Sequence, residues 1–302
     1  MAVIEIRGLT KSFGSVRAVD DLSFDVAAGS VVGFLGPNGA GKTTTLRMLL
    51  GLVRPTRGAA LIHGRRYRDL ADPLRQVGAA LEASNAHPGR TARAHLHIQA
   101  LAARVPPQRV AEMLELVGLA SAADRRSGEF SLGMRQRLGL AAAMLPDPDV
   151  LILDEPANGL DPEGVRWLRD LLRERAAQGR TVLISSHILA EVAQTVDTVV
   201  ILERGHLVTE SSLHDLGAGA KPVVRVRTPK AADLAALLTA DGAQVKHLDE
   251  QRLEISGSSP ERVGTLAAEH AIPLYESNTE VATLEDVFLR LTAAPQAQEA
   301  AR

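Results

Sequence analysis

Gly36-Pro-Asn-Gly-Ala-Gly-Lys-Thr43 is a run whose residue types and spacing can hold phosphate. It follows the apolar stretch Val31–Leu35 and leads into a helical run at residues 44–50, the strand–loop–helix setting that the pattern G-x-x-x-x-G-K-[ST] requires. Gly36, Gly39 and Gly41, with Pro37, Asn38, Ala40 and Thr44 completing the segment, let successive backbone N–H groups turn inward around phosphate oxygens. The helix N-terminus adds a favourable potential. Lys42 is placed to reach the terminal phosphates of a nucleoside triphosphate, and Thr43 offers its hydroxyl to Mg²⁺. Far downstream, the apolar residues 150–153 end in Asp154 and Glu155. Asp154 can take Mg²⁺ directly or through water, while Glu155, one residue on, can polarise an attacking water. Alone, an acidic pair ending a strand reads as a helix cap or a solvated turn. Beside the glycine loop it reads as the hydrolytic half of a triphosphatase.

These side chains need a sheet to hold them. The chain has 302 residues, more than one domain usually holds, so a large domain with a smaller appendage is expected. Residues 1–216 alternate strands and helices, an α/β pattern with a helical subdomain at about 84–145. Residues 217–222 form a breaker-rich linker. Residues 223–294 read as a small α+β domain: a strand at Val223–Arg227, a helix opened by Thr228-Pro229 and running to Leu238, strands near Val245 and Ile255, a helix from Ser259-Pro260 to Glu269, a strand at residues 272–275 and a helix at 283–291. That β-α-β-β-α-β order is ferredoxin-like. The small domain carries no glycine loop, metal spacing or acid/base constellation and reads as a structural or regulatory appendage. Residues 295–302, rich in Ala, Gln and Glu, are expected to fray.

Composition narrows the partners. A net charge of −2 leaves no electrostatic footprint for nucleic acid. With no cysteine, disulfides and cysteine-ligated zinc are excluded, which fits a reducing compartment. Glu5 and Arg7 interrupt the N-terminus, so no export signal is visible. The longest apolar runs are strand-sized, so work at a membrane would require another chain to span it.

Residues 3 to about 215 resemble the ATP-binding-cassette family, because further elements fall in that family's order. Phe130-Ser131-Leu132-Gly133-Met134-Arg135-Gln136-Arg137 is similar to the signature LSGGQ and its following QR, with Leu132 in place of the first glycine and Met134 in place of glutamine. Ser131 also reads as the cap of a helix that reaches Leu145 and is stopped by Pro146. Asn158-Gly-Leu-Asp161-Pro162 resembles the D-loop, Ser185-Ser186-His187 the switch histidine, and Phe13 the aromatic residue that stacks on adenine. The resemblance implies a P-loop NTPase fold of the ABC ATPase type that uses ATP and Mg²⁺, with His187 at the γ-phosphate. It also implies a dimer in which Ser131 and Gly133 of one copy face the phosphate loop of another and Asp161 communicates across the pair.

In that family a glutamine touching the metal opens the helical subdomain. Glu82 stands where that glutamine is expected, which implies a metal ligand, a coupling residue or both. With Glu82, the signature and LEDVFLRLT in the tail, the chain resembles the bacterial drug-export subgroup that includes bacitracin, lantibiotic and anthracycline self-resistance transporters. There the cassette pairs with an integral membrane permease encoded as a separate chain. This implies a cytoplasmic protein, peripheral on the inner face of the cell membrane, with helices at 93–104 and 108–117 docking the permease. Two other readings stay open at this point: an ABC-type ATPase acting on a macromolecule, and a regulatory cassette whose hydrolysis is weakened if Leu132 must adopt a positive φ.

Overall fold

A computed structural model describes residues 2–81, 86–218 and 223–280. They fall into two compact units that divide between Leu213 and His214. Expectations at Glu82, at 219–222 and at 281–302, including the helix at 283–291 and the tail, lie outside the described residues.

The first unit opens with β1 (Ala2–Phe13), β2 (Val16–Ala27), β3 (Val31–Leu35), α1 (Lys42–Leu49), β4 (Arg57–Ile62), α2 (Pro73–Gln76) and β5 (Val77–Ala80). It continues through α3 (Ala92–Ala102), α4 (Gln108–Leu116), α5 (Leu132–Met144), β6 (Val150–Asp154), α6 (Pro162–Ala177), β7 (Thr181–Ser186), α7 (Leu189–Val192), β8 (Thr198–Glu203) and β9 (His206–Ser212). Six strands form one sheet in the order β5-β6-β7-β3-β8-β9, parallel except for the β8–β9 pair. Every residue of β3, β6 and β7 is buried, as expected of parallel strands covered on both faces. A smaller antiparallel sheet, β2-β1-β4, packs with the central sheet around α1, which touches β2, β4 and β6. Helices α3, α4 and α5 pack on one another, and α5 lies on β5.

α8 (Leu213–Ala218) follows, so Gly217 and Ala218, expected in a linker, end a short helix. The second unit continues with β10 (Val223–Arg227), α9 (Ala231–Ala240), β11 (Gln244–His247), β12 (Arg252–Ser256), α10 (Pro260–Glu269) and β13 (Glu276–Glu280). Its antiparallel sheet has the order β11-β12-β10-β13, the ferredoxin-like arrangement. Two elements differ from expectation. α9 starts at Ala231 rather than Thr228-Pro229, because the buried Thr228 hydroxyl accepts from the Lys230 N–H two residues on instead of capping a helix. The last strand is β13, not residues 272–275. α10 ends with Ala271 at φ 50 and with the N–H groups of Ala271 and Ile272 returning to Ala268 and Ala267. That is a Schellman cap, and Ile272 is its buried hydrophobic contact.

Candidate active site

Strand register assembles the site. β6 pairs with β7 so that Asp154 lies beside Ser185, and β3 pairs with β7 so that Leu35 lies beside Ser186. The glycine loop after β3, the acidic end of β6 and His187 after β7 therefore emerge together at the carboxyl edge of the sheet, where open α/β sheets bind ligands. Gly41 caps α1 with φ 102, and a Cβ there would stand 2.4 Å from Ala18 O. Only glycine lets the loop close so tightly on β2.

Helix α1 begins at Lys42, two residues before the expected 44, which puts Lys42 and Thr43 on its first turn. Lys42 is 6 % exposed. Its Nζ donates to Gly36 O at 2.6 Å and lies 3.4 Å from Glu155 Oε1. Thr43 Oγ1 donates to Asp154 Oδ2 at 2.7 Å. His187 Nδ1 is 2.9 Å from Glu155 Oε2, so the carboxylate of Glu155 is held between an ammonium and an imidazole. Glu155 itself has φ 48, a left-handed conformation that costs a side-chain-bearing residue about 1–2 kcal/mol. Its N–H donates to Ser185 Oγ at 2.9 Å, Ser185 Oγ donates to Asp154 Oδ1, and its carbonyl accepts from Gln136 Nε2 at 3.1 Å. Such an arrangement can place an anionic triphosphate on the loop and aim a carboxylate at a water beside it.

Among the described residues no group of three or more His, Cys, Asp or Glu side chains is arranged to hold a metal ion. One hydroxyl and one carboxylate side by side, Thr43 and Asp154, nevertheless fit Mg²⁺, which is held by one or two carboxylates together with substrate phosphates rather than by an all-protein cage.

The remaining expected residues are distributed as follows. Phe13 ends β1 and is 51 % exposed, which removes core burial as its role, and Lys11 Nζ lies 4.8 Å from its ring centroid. The Ser131 hydroxyl caps α5 by accepting from Met134 N–H. Asp161 caps α6 by accepting from Gly164 N–H at 2.8 Å. A Cβ on Gly133 would stand 2.7 Å from Gly159 O, so the first turn of α5 and the segment before α6 are in close contact within one chain. Leu132 opens α5 and is not among the residues with positive φ. The strain on which the weakened-cassette reading depended is therefore absent. Ser185 and Gln136, both buried, lie within the motifs similar to the switch histidine and the signature, but the sequence assigned neither a role of its own. The available signal was Ser185, a polar residue that follows the apolar run Val182–Ile184 directly before Ser186-His187.

A parallel sheet with a glycine loop entering α1, an acidic strand end and a histidine after the neighbouring strand defines a P-loop nucleoside triphosphatase. The family model described as ABC transporter matches residues 19–158, and a domain of unknown function matches residues 222–285. The bacitracin transport ATP-binding protein BcrA of Bacillus licheniformis is 45 % identical over 211 residues, 69 % of either chain. The Nod factor export ATP-binding protein I of Burkholderia orbicola is 38 % identical over 309 residues, 97 % of either chain. A solved ATP-binding subunit of an ABC transporter aligns with TM-score 0.65 and 31 % identity over 72 % of this chain and 92 % of its own. The dimeric bacterial cassette MJ0796 aligns with TM-score 0.65 at 23 % identity, over 70 % and 98 %, a likeness of fold alone. The chain belongs to the ABC transporter family as an ATP-binding subunit. It binds ATP and is an ATPase, and its relatives include exporters.

Proposed function

We propose that this chain energises export of a drug, antibiotic peptide or other amphiphilic compound through an integral membrane permease encoded as a separate chain. The observation that carries the hydrolytic part is the convergence of Lys42, Asp154, Glu155 and His187 at one sheet edge. Export is supported by the bacitracin-transport and Nod-factor-export relatives. A separate permease is supported by the finding that no helix among the described residues is long and apolar enough to cross a membrane. Ile98 and Leu101 on α3 and Leu116 on α4 are exposed apolar side chains suited to a membrane partner.

In this reading the loop from Gly36 to Thr44 wraps the phosphates, Phe13 stacks on adenine, and Lys42 neutralises the terminal phosphates. Thr43 and Asp154, with Glu82, would hold Mg²⁺. When bound, Mg²⁺ would supply positive charge that offsets the charge of the phosphates. Glu155 accepts a proton from the attacking water, and His187 orients Glu155 and contacts the γ-phosphate. Ser131 and Gly133 of a second copy close the site from the other side, with Asp161 at the seam, so two copies enclose two ATP and hydrolysis reopens them. The chain then sits on the inner face of the cell membrane through its permease.

Affinity purification of the tagged full chain from membranes tests the transport half. Recovery of a small integral membrane protein in stoichiometric amount supports it, whereas ribosomal RNA in its place would favour an ATPase acting on a macromolecule. Steady-state phosphate release from the purified chain tests the other half. Turnover on the scale of seconds supports a working cassette, and ATP binding without turnover would favour a regulatory one.

A further inference from the structure

Glu155 is held in its left-handed conformation from both flanking peptides by side chains of two other elements. From β7, Ser185 Oγ accepts from the Glu155 N–H at 2.9 Å and donates in turn to Asp154 Oδ1. From α5, Gln136 Nε2 donates to the Glu155 carbonyl at 3.1 Å, which also accepts from Asn158 N–H at 3.1 Å. Ser185 is 0 % exposed and Gln136 5 %, so neither contact is shared with bulk water. Neither residue reaches the carboxylate: its two oxygens are engaged by Lys42 and His187. A non-glycine residue at φ 48 persists only where its surroundings over-determine it, and these two side chains supply the hydrogen bonds on either side of that torsion.

We propose that Ser185 and Gln136 are positioning residues for hydrolysis, which clamp the Glu155 backbone and so set the direction of its carboxylate. The proposal rests on reading Glu155 as the base. Ser185 serves two groups at once. Its single proton goes to Asp154, which leaves its lone pairs for the Glu155 N–H, so one hydroxyl couples the carboxylate beside Thr43 to the backbone of the residue that acts on water. Gln136 lies five positions after Ser131 on the helix that Ser131 caps. A shift of α5 is therefore felt at Glu155 of the same chain through one hydrogen bond.

The test compares Ser185→Ala, Ser185→Thr, Gln136→Met and Glu155→Gln in the full chain. Three quantities are read for each: steady-state kcat for ATP, affinity for a non-hydrolysable ATP analogue with Mg²⁺, and Tm. Ser185→Ala and Gln136→Met should lower kcat by about 10- to 100-fold, the scale of a small misplacement of a reacting group, while analogue affinity stays within about threefold and Tm within a few degrees. Ser185→Thr, which keeps the hydroxyl, should recover most of the rate. In the Glu155→Gln background, adding Ser185→Ala should cause little further loss, because a clamp on an absent base has nothing to position. Wild-type kcat in Ser185→Ala and Gln136→Met beside an inactive Glu155→Gln would overturn the clamp and leave the base in place. A parallel fall of kcat, affinity and Tm would overturn it too, in favour of a packing role. If Ser185→Ala does not fold, Ser185→Thr and Gln136→Met decide. A fully active Glu155→Gln would remove the underlying reading instead.

Discussion

In the nucleotide-binding unit Lys42, Gln136, Asp154 and Ser185 are all buried, and each is hydrogen-bonded to another part of the site. Among the described residues of the second unit Thr228 is buried and the Ser258 hydroxyl is buried without a hydrogen-bond partner, while the hydrophobic core is Val, Leu, Ile and Ala. Its charges lie outside, in pairs such as Arg225 with Glu254 and Arg262 with Asp241. Burying polar groups costs stability unless every one is satisfied, so the first unit is organised around placing reactive groups and the second around packing. Substitutions should therefore separate: those in the first unit remove turnover at small cost in stability, and those in the second do the reverse.

The largest effect is expected from Lys42→Ala, which removes the buried ammonium between Gly36 O and Glu155. ATP turnover should fall by about 10³-fold or more, about 4 kcal/mol of transition-state stabilisation, measured as phosphate release. Retained turnover would show that the buried ammonium is not needed for hydrolysis. His187→Ala should follow at about 10²-fold, the scale of a positioned acid/base group, with analogue binding retained.

On the packing side, Leu253→Ala deletes a fully buried side chain of β12. It should cost about 2–5 kcal/mol in denaturant unfolding of the second unit, with kcat per folded molecule unchanged. A fall in kcat would show that the second unit takes part in hydrolysis. The smallest effect concerns Asp147, which bridges Arg175 and Arg180 in the first unit and has no part in the site. Partial burial acts to raise the Asp147 carboxyl, but hydrogen bonding and attraction from Arg175 and Arg180 outweigh it and hold the group below the ordinary aspartate value. A depressed pKa contributes stability above the unfolded value, about 3.9, and that contribution is lost as pH falls below it. Because Asp147 is 47 % exposed, the gain should stay below about 1 kcal/mol. Tm measured against pH should show wild type above Asp147→Asn at pH 6, with the difference shrinking as pH is lowered below about 4.

Legibility followed the same division. The glycine loop, the acidic pair and His187 could be read because each is a contiguous pattern that sits at the end of a strongly apolar strand. The Ser185 and Gln136 contacts could not, because they depend on the register of β6 with β7 and on how α5 lies beside them, neither of which is written in local spacing. Leu132 invited a strain argument that vanishes once it is the first residue of α5 with ordinary helical φ. In the second unit, Ile272 imitated the start of a strand because the hydrophobic contact of a helix cap and a buried strand residue look alike in one dimension. Thr228-Pro229 imitated a helix start because a threonine that closes a turn and one that caps a helix use the same hydroxyl.

In the proposed mechanism Glu155, held by Lys42 and His187, drives hydrolysis within a site that a second copy completes. This mechanism is tested most directly by purified Glu155→Gln in ATP and Mg²⁺, with phosphate release and sedimentation velocity measured on the same sample. Turnover should fall by about 10²-fold or more, and the variant, unable to reopen, should accumulate as an ATP-dependent dimer that disperses when ADP replaces ATP. Wild-type turnover, or a monomer that binds ATP without associating, would contradict it.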